Sequence, residues 1–471
     1  MDLLRWPIIG PFLRWRHART SLQLVFLLLA VVVVIHGLTG PDLASNNLAT
    51  VLTWVHYRGL LVVTLLAAGN FFCAGCPFVR VRDWGRRLRA PGLSWPARLR
   101  GKWMALILLA TVLFTYELFD LWALPRATAW LVLAYFAAAL VVDMLFRGAT
   151  FCKHLCPIGQ FNFVASMVSP LEVRVREKST CDSCRTADCV AGRRPVPASP
   201  VVTQRGCELG LFLPAKVGNL DCTFCLDCVQ ACPHDNVALA VRVPALELLD
   251  DSRRSAIGRL TDRTDILALV VLFVFGGLLN AFAMTSPALA LMAWVSSVLG
   301  GAGDLAALGL LFVTGLLVVS GALFALAADV SRRLARVDVT RVSISRHFVV
   351  ALVPFGLGVW LAHYGFHLLV GVLVIVPVTQ SAVVGWLGAP LLGAPLWTWA
   401  GLRPGAVLPW QVGFLALGAC GSVATLMAIA ERAFAARPVR VAAPWIALVV
   451  LLFAAAVWVM LQPMEMRGTG L

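Results

Sequence analysis

The chain has 471 residues, of which 60% are hydrophobic and 13% charged, and its mean hydropathy is +0.85. A water-soluble globule carries about a quarter charged residues, so this composition excludes that class and predicts an integral membrane protein in a lipid bilayer. The net charge of +15 does not point to a nucleic-acid partner, because the basic residues sit in short blocks between apolar stretches, as a topology signal does.

In chain order, a first span covers residues 21–38, after Arg14, Arg16 and Arg19. Its apolar run is long and no small-residue cleavage site follows, so it reads as a retained helix rather than a signal peptide. A second span covers 51–72 and is followed by a basic loop with Arg80, Arg82, Arg86, Arg87, Arg89, Arg98, Arg100 and Lys102. Spans at 103–121 and 130–146 form a tight hairpin. A polar segment, 157–263, holds eight of the thirteen cysteines. Further spans follow at 266–283 and 305–328, then a long run from 348, then 412–429 and 445–461. The run 348–384 would be about 55 Å long as one helix, more than a bilayer needs. Pro354 and Pro377 permit a kink or re-entrant piece there, so eight to ten spans fit and nine satisfy every loop. The expected architecture is a polytopic α-helical membrane protein of about nine transmembrane helices. It divides into a four-helix membrane region at 1–156, an inserted ferredoxin-like α+β domain at 157–263, and a membrane region of about five helices at 264–471.

Loop charge sets the expected orientation. Cationic blocks precede the first span, follow the second, surround the cysteine segment, and recur at 332–346 and 432–440, whereas "GPDLASNN" and "GLRPGAVLPW" carry almost no positive charge. The positive-inside rule then places the N-terminus and the cysteine segment in the cytoplasm of a bacterial inner membrane and the C-terminus in the periplasm. In a reducing compartment, clustered thiols indicate metal or redox chemistry rather than disulfides.

The strongest motif is "CTFCLDCVQACP", with Cys222, Cys225, Cys228 and Cys232 spaced C-x2-C-x2-C-x3-C-P. Three ligands at that pitch wrap one compact inorganic core, and the fourth, before proline, reaches a second core. The second set lies upstream as Cys181, Cys184 and Cys189, spaced C-x2-C-x4-C, with Cys207 after a loop rich in proline and arginine. Crossed ligation is therefore expected: Cys181, Cys184, Cys189 and Cys232 for one [4Fe–4S] cluster, and Cys222, Cys225, Cys228 and Cys207 for the other. The competing reading is a zinc ribbon, which would leave the third and fourth thiols of each set over.

Two more pairs stand at membrane edges. "FFCAGCPF" places Cys73 and Cys76 at the inner end of the second span, and "TFCKHLCPIG" places Cys152 and Cys156 at the same depth after the fourth. Each combines an aromatic, a cysteine pair and a proline, so the two read as an internal duplication of a helical hairpin. A buried free cysteine is commonly just an apolar residue, but four at matched depth favour a redox or metal role. Spacing leaves metal binding and disulfide cycling both open.

Residues 54–241 with these motifs resemble the membrane-anchored polyferredoxins, the NapH-like, NosR-like and CcoG-like proteins. In that family C-x3-C-P motifs end membrane helices and a cytoplasmic two-cluster ferredoxin follows. The resemblance implies electron transfer, from quinol or a cytoplasmic donor, serving a respiratory reductase or oxidase or its maturation machinery. Cys152 and Cys156 match the family motif, whereas Cys73 and Cys76 are one residue closer. No extracytoplasmic flavin-binding domain precedes the first span, so a full NosR-type protein is not expected. The region after Asp265 matches no family.

Ionisable residues inside helices are costly and mark function. His36, His56, Arg58, Glu117 and Asp120 are expected near the outer face, with His363 and His367 on one helix face at i,i+4 spacing and Met460, Met464 and Met466 in the tail. Singly each reads as an interfacial residue; together they permit a quinol pocket, a b-type haem or a copper site. No acid–base or nucleophile constellation suggests a stand-alone enzyme. The expected function is a membrane electron-transfer component linking the ferredoxin segment to the quinone pool or a periplasmic redox partner. The alternatives are a redox-sensing regulator and a copper-handling assembly factor.

Overall fold

The computed structural model describes residues 1–88, 91–193, 204–301 and 303–464. The chain is mostly helical, and among the described residues eight helices are long and apolar enough to cross a membrane: Ala18–Thr39, Leu48–Ala68, Pro125–Leu145, Thr264–Ala283, Gly303–Ala335, Arg341–Gly371, Pro404–Ala433 and Pro438–Leu461. The span expected at 103–121 is the shorter apolar helix Trp103–Leu118, and a further short one, Ser286–Val298, was not anticipated. The long run from 348 is divided. Its helix Val353–Gly371 stops, and a second, Ile375–Leu387, begins just before Pro377. Pro377 has no N–H to bond the Leu373 carbonyl four residues back, and its ring would crowd that carbonyl in a continuous helix, which accounts for a break on its N-terminal side.

Contacts group the chain into two compact units. One comprises Met1–Leu28, Thr64–Ala105 and Tyr135–Ile266. Its sheet has two antiparallel strands, Leu171–Val175 and Val237–Val241, in a register that pairs Leu171 with Val241 and Val175 with Val237. Everything between the strands, including the eight clustered cysteines, is therefore one excursion held at its two ends. Arg242 and Arg254 lie beside the second strand with the buried Glu247 between them.

The other unit comprises Leu29–Val63, Leu106–Ala134 and Leu267–Leu471. Its centre is the helix Val353–Gly371, buried along most of its length and packed on Pro404–Ala433. Glycines make that contact: a Cβ on Gly358 would stand 2.7 Å from the Phe414 carbonyl oxygen, and one on Gly418 2.7 Å from that of Pro354. Small residues let two apolar helices approach backbone to backbone, where lipid supplies no hydrophobic drive. Trp360, 1% exposed, donates its indole N–H to the Phe273 carbonyl at 2.8 Å.

Candidate metal centres

The excursion between the strands begins with the short helix Lys178–Asp182, which carries Cys181. Ala187, at φ 49°, then turns the chain into Asp188–Ala191, which carries Cys189. That left-handed residue aims its own N–H at the Cys184 thiol, whose pKa is lowered to about 7 by this donor and then by Thr186. Cys181, Cys184 and Cys189 line one cavity with Cys232 and Pro233. Asn236 ties the two ends of the set together. Its amide donates to the Cys181 sulfur at 3.3 Å, and its backbone N–H donates to the Cys232 sulfur at 3.4 Å. Sequence reasoning did not single out Asn236; its only signal is a position four residues after the last cysteine.

The second group forms on the loop that opens at Asn219. Asp221, Phe224 and Leu226 have φ of 62°, 53° and 58°, each a conformation that costs about 1–2 kcal/mol outside glycine. Alternating left-handed residues turn successive N–H groups inward as an anion-accepting nest. The Phe224 N–H reaches Cys222, and the Asp227 N–H reaches Cys225. Packing holds the strained loop. Phe224 is 1% exposed and its ring lies 5.6 Å from that of Phe71. Gly69, at φ +70°, leaves the space for it, since a Cβ there would stand 2.8 Å from the Phe224 ring edge. Burial, and then the neighbouring thiols, push Cys228 up well above its ordinary value, with Cys225, Cys222 and Cys207 as the thiols concerned. Cys207 thus sits with the second group although its backbone N–H bonds to the Cys189 carbonyl at 2.9 Å.

The thiols therefore gather as Cys181, Cys184, Cys189 and Cys232 on one side and Cys207, Cys222, Cys225 and Cys228 on the other. Buried thiols resist ionisation unless a cation pairs with them, and the inward N–H donors suit sulfurs that bear negative charge. Soft donors in fours with such hydrogen bonds fit an iron–sulfur core. Among the described residues no group of three Cys, His, Asp or Glu is arranged to hold a single metal ion.

The membrane-edge cysteines also converge. Cys73 lies on the short helix Phe71–Ala74 and Cys152 on the wide π-helical turn Phe151–Leu155. Cys156 caps the helix Pro157–Ala165, its sulfur accepting the Gly159 N–H at 3.2 Å. Cys76 occupies the matching place before Pro77–Leu88, with the N–H groups of Phe78 and Val79 reaching its thiol. The two pairs act on each other: Cys76 and Cys73 bear on Cys156, and Cys156 and Cys76 bear on Cys152. Duplication and matched depth were visible in the sequence; that the pairs meet was not.

In the other unit, His36 and His56 already have polar partners. The His36 Nδ1 lies 3.0 Å from the Leu48 N–H and 3.1 Å from the Asn47 side chain at a helix start. The two ring nitrogens of His56 face the carbonyls of Val51 and Val372 at 3.1 Å each. Arg58 is buried in an aromatic box, with Trp54, Tyr116 and Tyr364 ring centres 5.3, 5.1 and 4.5 Å from its guanidinium carbon. It donates to the Tyr116 hydroxyl and the Trp54 carbonyl, both at 2.7 Å. Its charge acts on both His363 and His367. Among the described residues, neither ring nitrogen of His363 nor Nε2 of His367 has a hydrogen-bond partner. Their rings are 5.2 Å apart on one face of one helix, so they cannot approach a macrocycle from opposite sides, and the pair does not fit a bis-histidine haem. The Met460 sulfur accepts from Gln411 at 3.1 Å, Met464 pairs with Thr285, and Met466 lies outside the described residues. Glu117 and Asp120 line a small cavity with Trp122 and Met284, and Glu117 accepts from Asn280.

In its many helices and its fours of grouped thiols the chain is similar to membrane polyferredoxin-type proteins, NapH and NosR among them. It is 27% identical to the ferredoxin-type protein NapH of Haemophilus influenzae over 41% of this chain and 70% of that one. To NapH of Escherichia coli it is 25% identical over 44% of this chain and 74% of that one. The regulatory protein NosR of Pseudomonas aeruginosa is 28% identical over 36% of this chain but only 24% of its own length. No family model and no solved structure matches the chain.

Proposed function

We propose that this chain is a membrane-bound iron–sulfur electron-transfer protein. Residues 157–263 would act as a two-cluster ferredoxin-like domain on the cytoplasmic side of a bacterial inner membrane. The observation that carries the reading is the grouping of eight cysteines into two fours, with Cys232 in the upstream group and Cys207 in the downstream one. Cys181, Cys184, Cys189 and Cys232 would hold one [4Fe–4S] cluster and Cys207, Cys222, Cys225 and Cys228 the other. Bound clusters supply reversible one-electron storage. The chain's own residues exclude water from Cys222 and Cys228, aim N–H donors at the sulfurs, and through Asn236 fix the spacing between Cys181 and Cys232. The resemblance to NapH and NosR supports a respiratory reductase, or its accessory machinery, as partner.

For the membrane end, quinol is favoured by one observation: His363 and His367 present unpartnered nitrogens within reach of the Arg58 charge. Such imidazoles can accept the protons that a quinol releases with its electrons. The test is metal content in anaerobically purified full-length protein. The two sets call for about eight iron and eight acid-labile sulfide per chain, and Cys225→Ser should remove roughly half of both while the chain still inserts. Stoichiometric zinc without sulfide would overturn the reading.

A further inference from the structure

The membrane-edge cysteines are absorbed neither by the two ferredoxin-like sets nor by the quinol reading. Cys73, Cys76, Cys152 and Cys156 come from two segments separated by a long stretch of chain, yet they form one group. Each pair supplies one thiol from a short helix or wide turn and one that caps the helix starting at the next proline. Two helix N-termini therefore face the group, and the positive end of a helix favours negative charge. The Asn162 side chain, on the same helix that Cys156 caps, donates to the Cys73 sulfur at 3.4 Å, so the second pair's helix reaches across to the first pair. Arg82, 1% exposed, lies close enough for its charge to bear on Cys76 and Cys152, and its buried ion-pair partner Asp143 also acts on Cys152.

This environment contradicts four inert thiols. The surroundings supply donors to these sulfurs: two helix starts, an amide and a buried guanidinium. Sulfurs that carry charge in such a place require a cationic partner. The group also has a neighbour of the right kind. Asn70 donates to the Cys222 carbonyl at 3.0 Å, Phe71 packs on Phe224, and Cys222 is among the charges felt by Cys73. Zinc is redox-inert and would have no use for that adjacency.

We propose that Cys73, Cys76, Cys152 and Cys156 together hold one iron–sulfur core, a third redox centre placed beside the downstream ferredoxin-like set. It rests on the electron-transfer reading above and extends it. A core held by these four thiols would exchange a single electron with one held by the downstream set, the one being oxidised as the other is reduced, with no atom or proton moved.

The experiment compares wild type with Cys152→Ser/Cys156→Ser and with Cys76→Ser, all full-length, purified anaerobically in detergent, for iron, sulfide, copper, zinc and low-temperature paramagnetic spectra. Wild type should exceed the about eight iron that two [4Fe–4S] sets require. Both variants should lose the excess iron and sulfide together with one spectral species, while the signals of the two ferredoxin-like sets persist and report that the chain is folded. If wild type holds only about eight iron and the variants keep all of it, the third centre is refuted and the two-cluster reading survives. Loss of one copper or zinc instead, or a Cys73–Cys76 or Cys152–Cys156 disulfide by mass spectrometry of wild type, likewise overturns it. Absence of iron and sulfide from wild type sinks both readings together.

Discussion

Glu247→Gln is the sharpest test of what holds the downstream cysteine loop. The Glu247 side chain is 1% exposed and pairs with Arg242 at 2.7 Å and Arg254 at 3.1 Å. Its Oε2 also accepts the Asn219 N–H at 2.6 Å and its Oε1 the Leu220 N–H at 3.4 Å. Both oxygens thus face only donors, and the two backbone donors open the loop that leads into Cys222. Glutamine keeps the shape, but whichever way its amide is turned, the NH2 meets a guanidinium and a backbone N–H. Two hydrogen bonds are lost and two buried arginines lose a countercharge. Breaking a buried pair from one side costs about 3–5 kcal/mol, and a domain of this size loses about 2–4 °C of melting temperature per kcal/mol. A fall of roughly 10 °C is expected, followed by visible absorbance and tryptophan fluorescence in detergent, with selective loss of metal from the Cys222 set. A variant that melts within about 2 °C of wild type and keeps its full metal content would refute the reasoning.

A reporter fused after Gly192 should be active only as a cytoplasmic fusion and one at the C-terminus only as a periplasmic fusion, because the arginine blocks flank the cysteine segment; the reverse pattern would invert the donor side. His363→Leu/His367→Leu should leave the iron–sulfur spectrum intact and abolish quinol-driven reduction, and unchanged reduction would assign both residues to packing. Burial alone would raise the Asp83 carboxyl, but Arg82 and Arg205 outweigh it and hold it below its ordinary value. A depressed carboxylate stabilises above its unfolded value of about 4 and stops doing so as pH falls through the folded one. The melting-temperature gap between wild type and Asp83→Asn should therefore be open near pH 7 and close towards about pH 3, and a gap that persists in acid would contradict the ion-pair account.

What the sequence disclosed follows from what is local. Apolar runs announce helices because each span must satisfy its own backbone in lipid, so the long helices fall where composition places them. Helix ends were less legible. The break before Pro377 follows from proline chemistry, but whether a proline starts a new helix or only bends an old one depends on neighbours such as His56, which bonds the freed Val372 carbonyl. Ser286–Val298 was missed because thirteen residues are too few to announce a span by hydropathy. Ligand spacing within Cys222–Cys232 was legible because one turn of chain fixes it. Asn236 and Glu247 were not, because each acts through groups brought to it by the two-strand register and the fold of a distant loop.

The same distinction explains why the sequence left open whether the cysteine pairs at 73–76 and 152–156 meet. Duplication produces matching local motifs, and matching motifs cannot say whether their copies meet. That depends on packing: on Asn162 reaching Cys73, and on Gly69 leaving room for Phe224. A Cβ at Gly69 would strike both that ring and the Ser169 hydroxyl, the latter at 2.9 Å. One glycine therefore governs how closely the 69–76 segment approaches the Cys222 loop. The approach of the membrane-edge thiols to the downstream set is thus governed by a residue that bears no chemistry of its own.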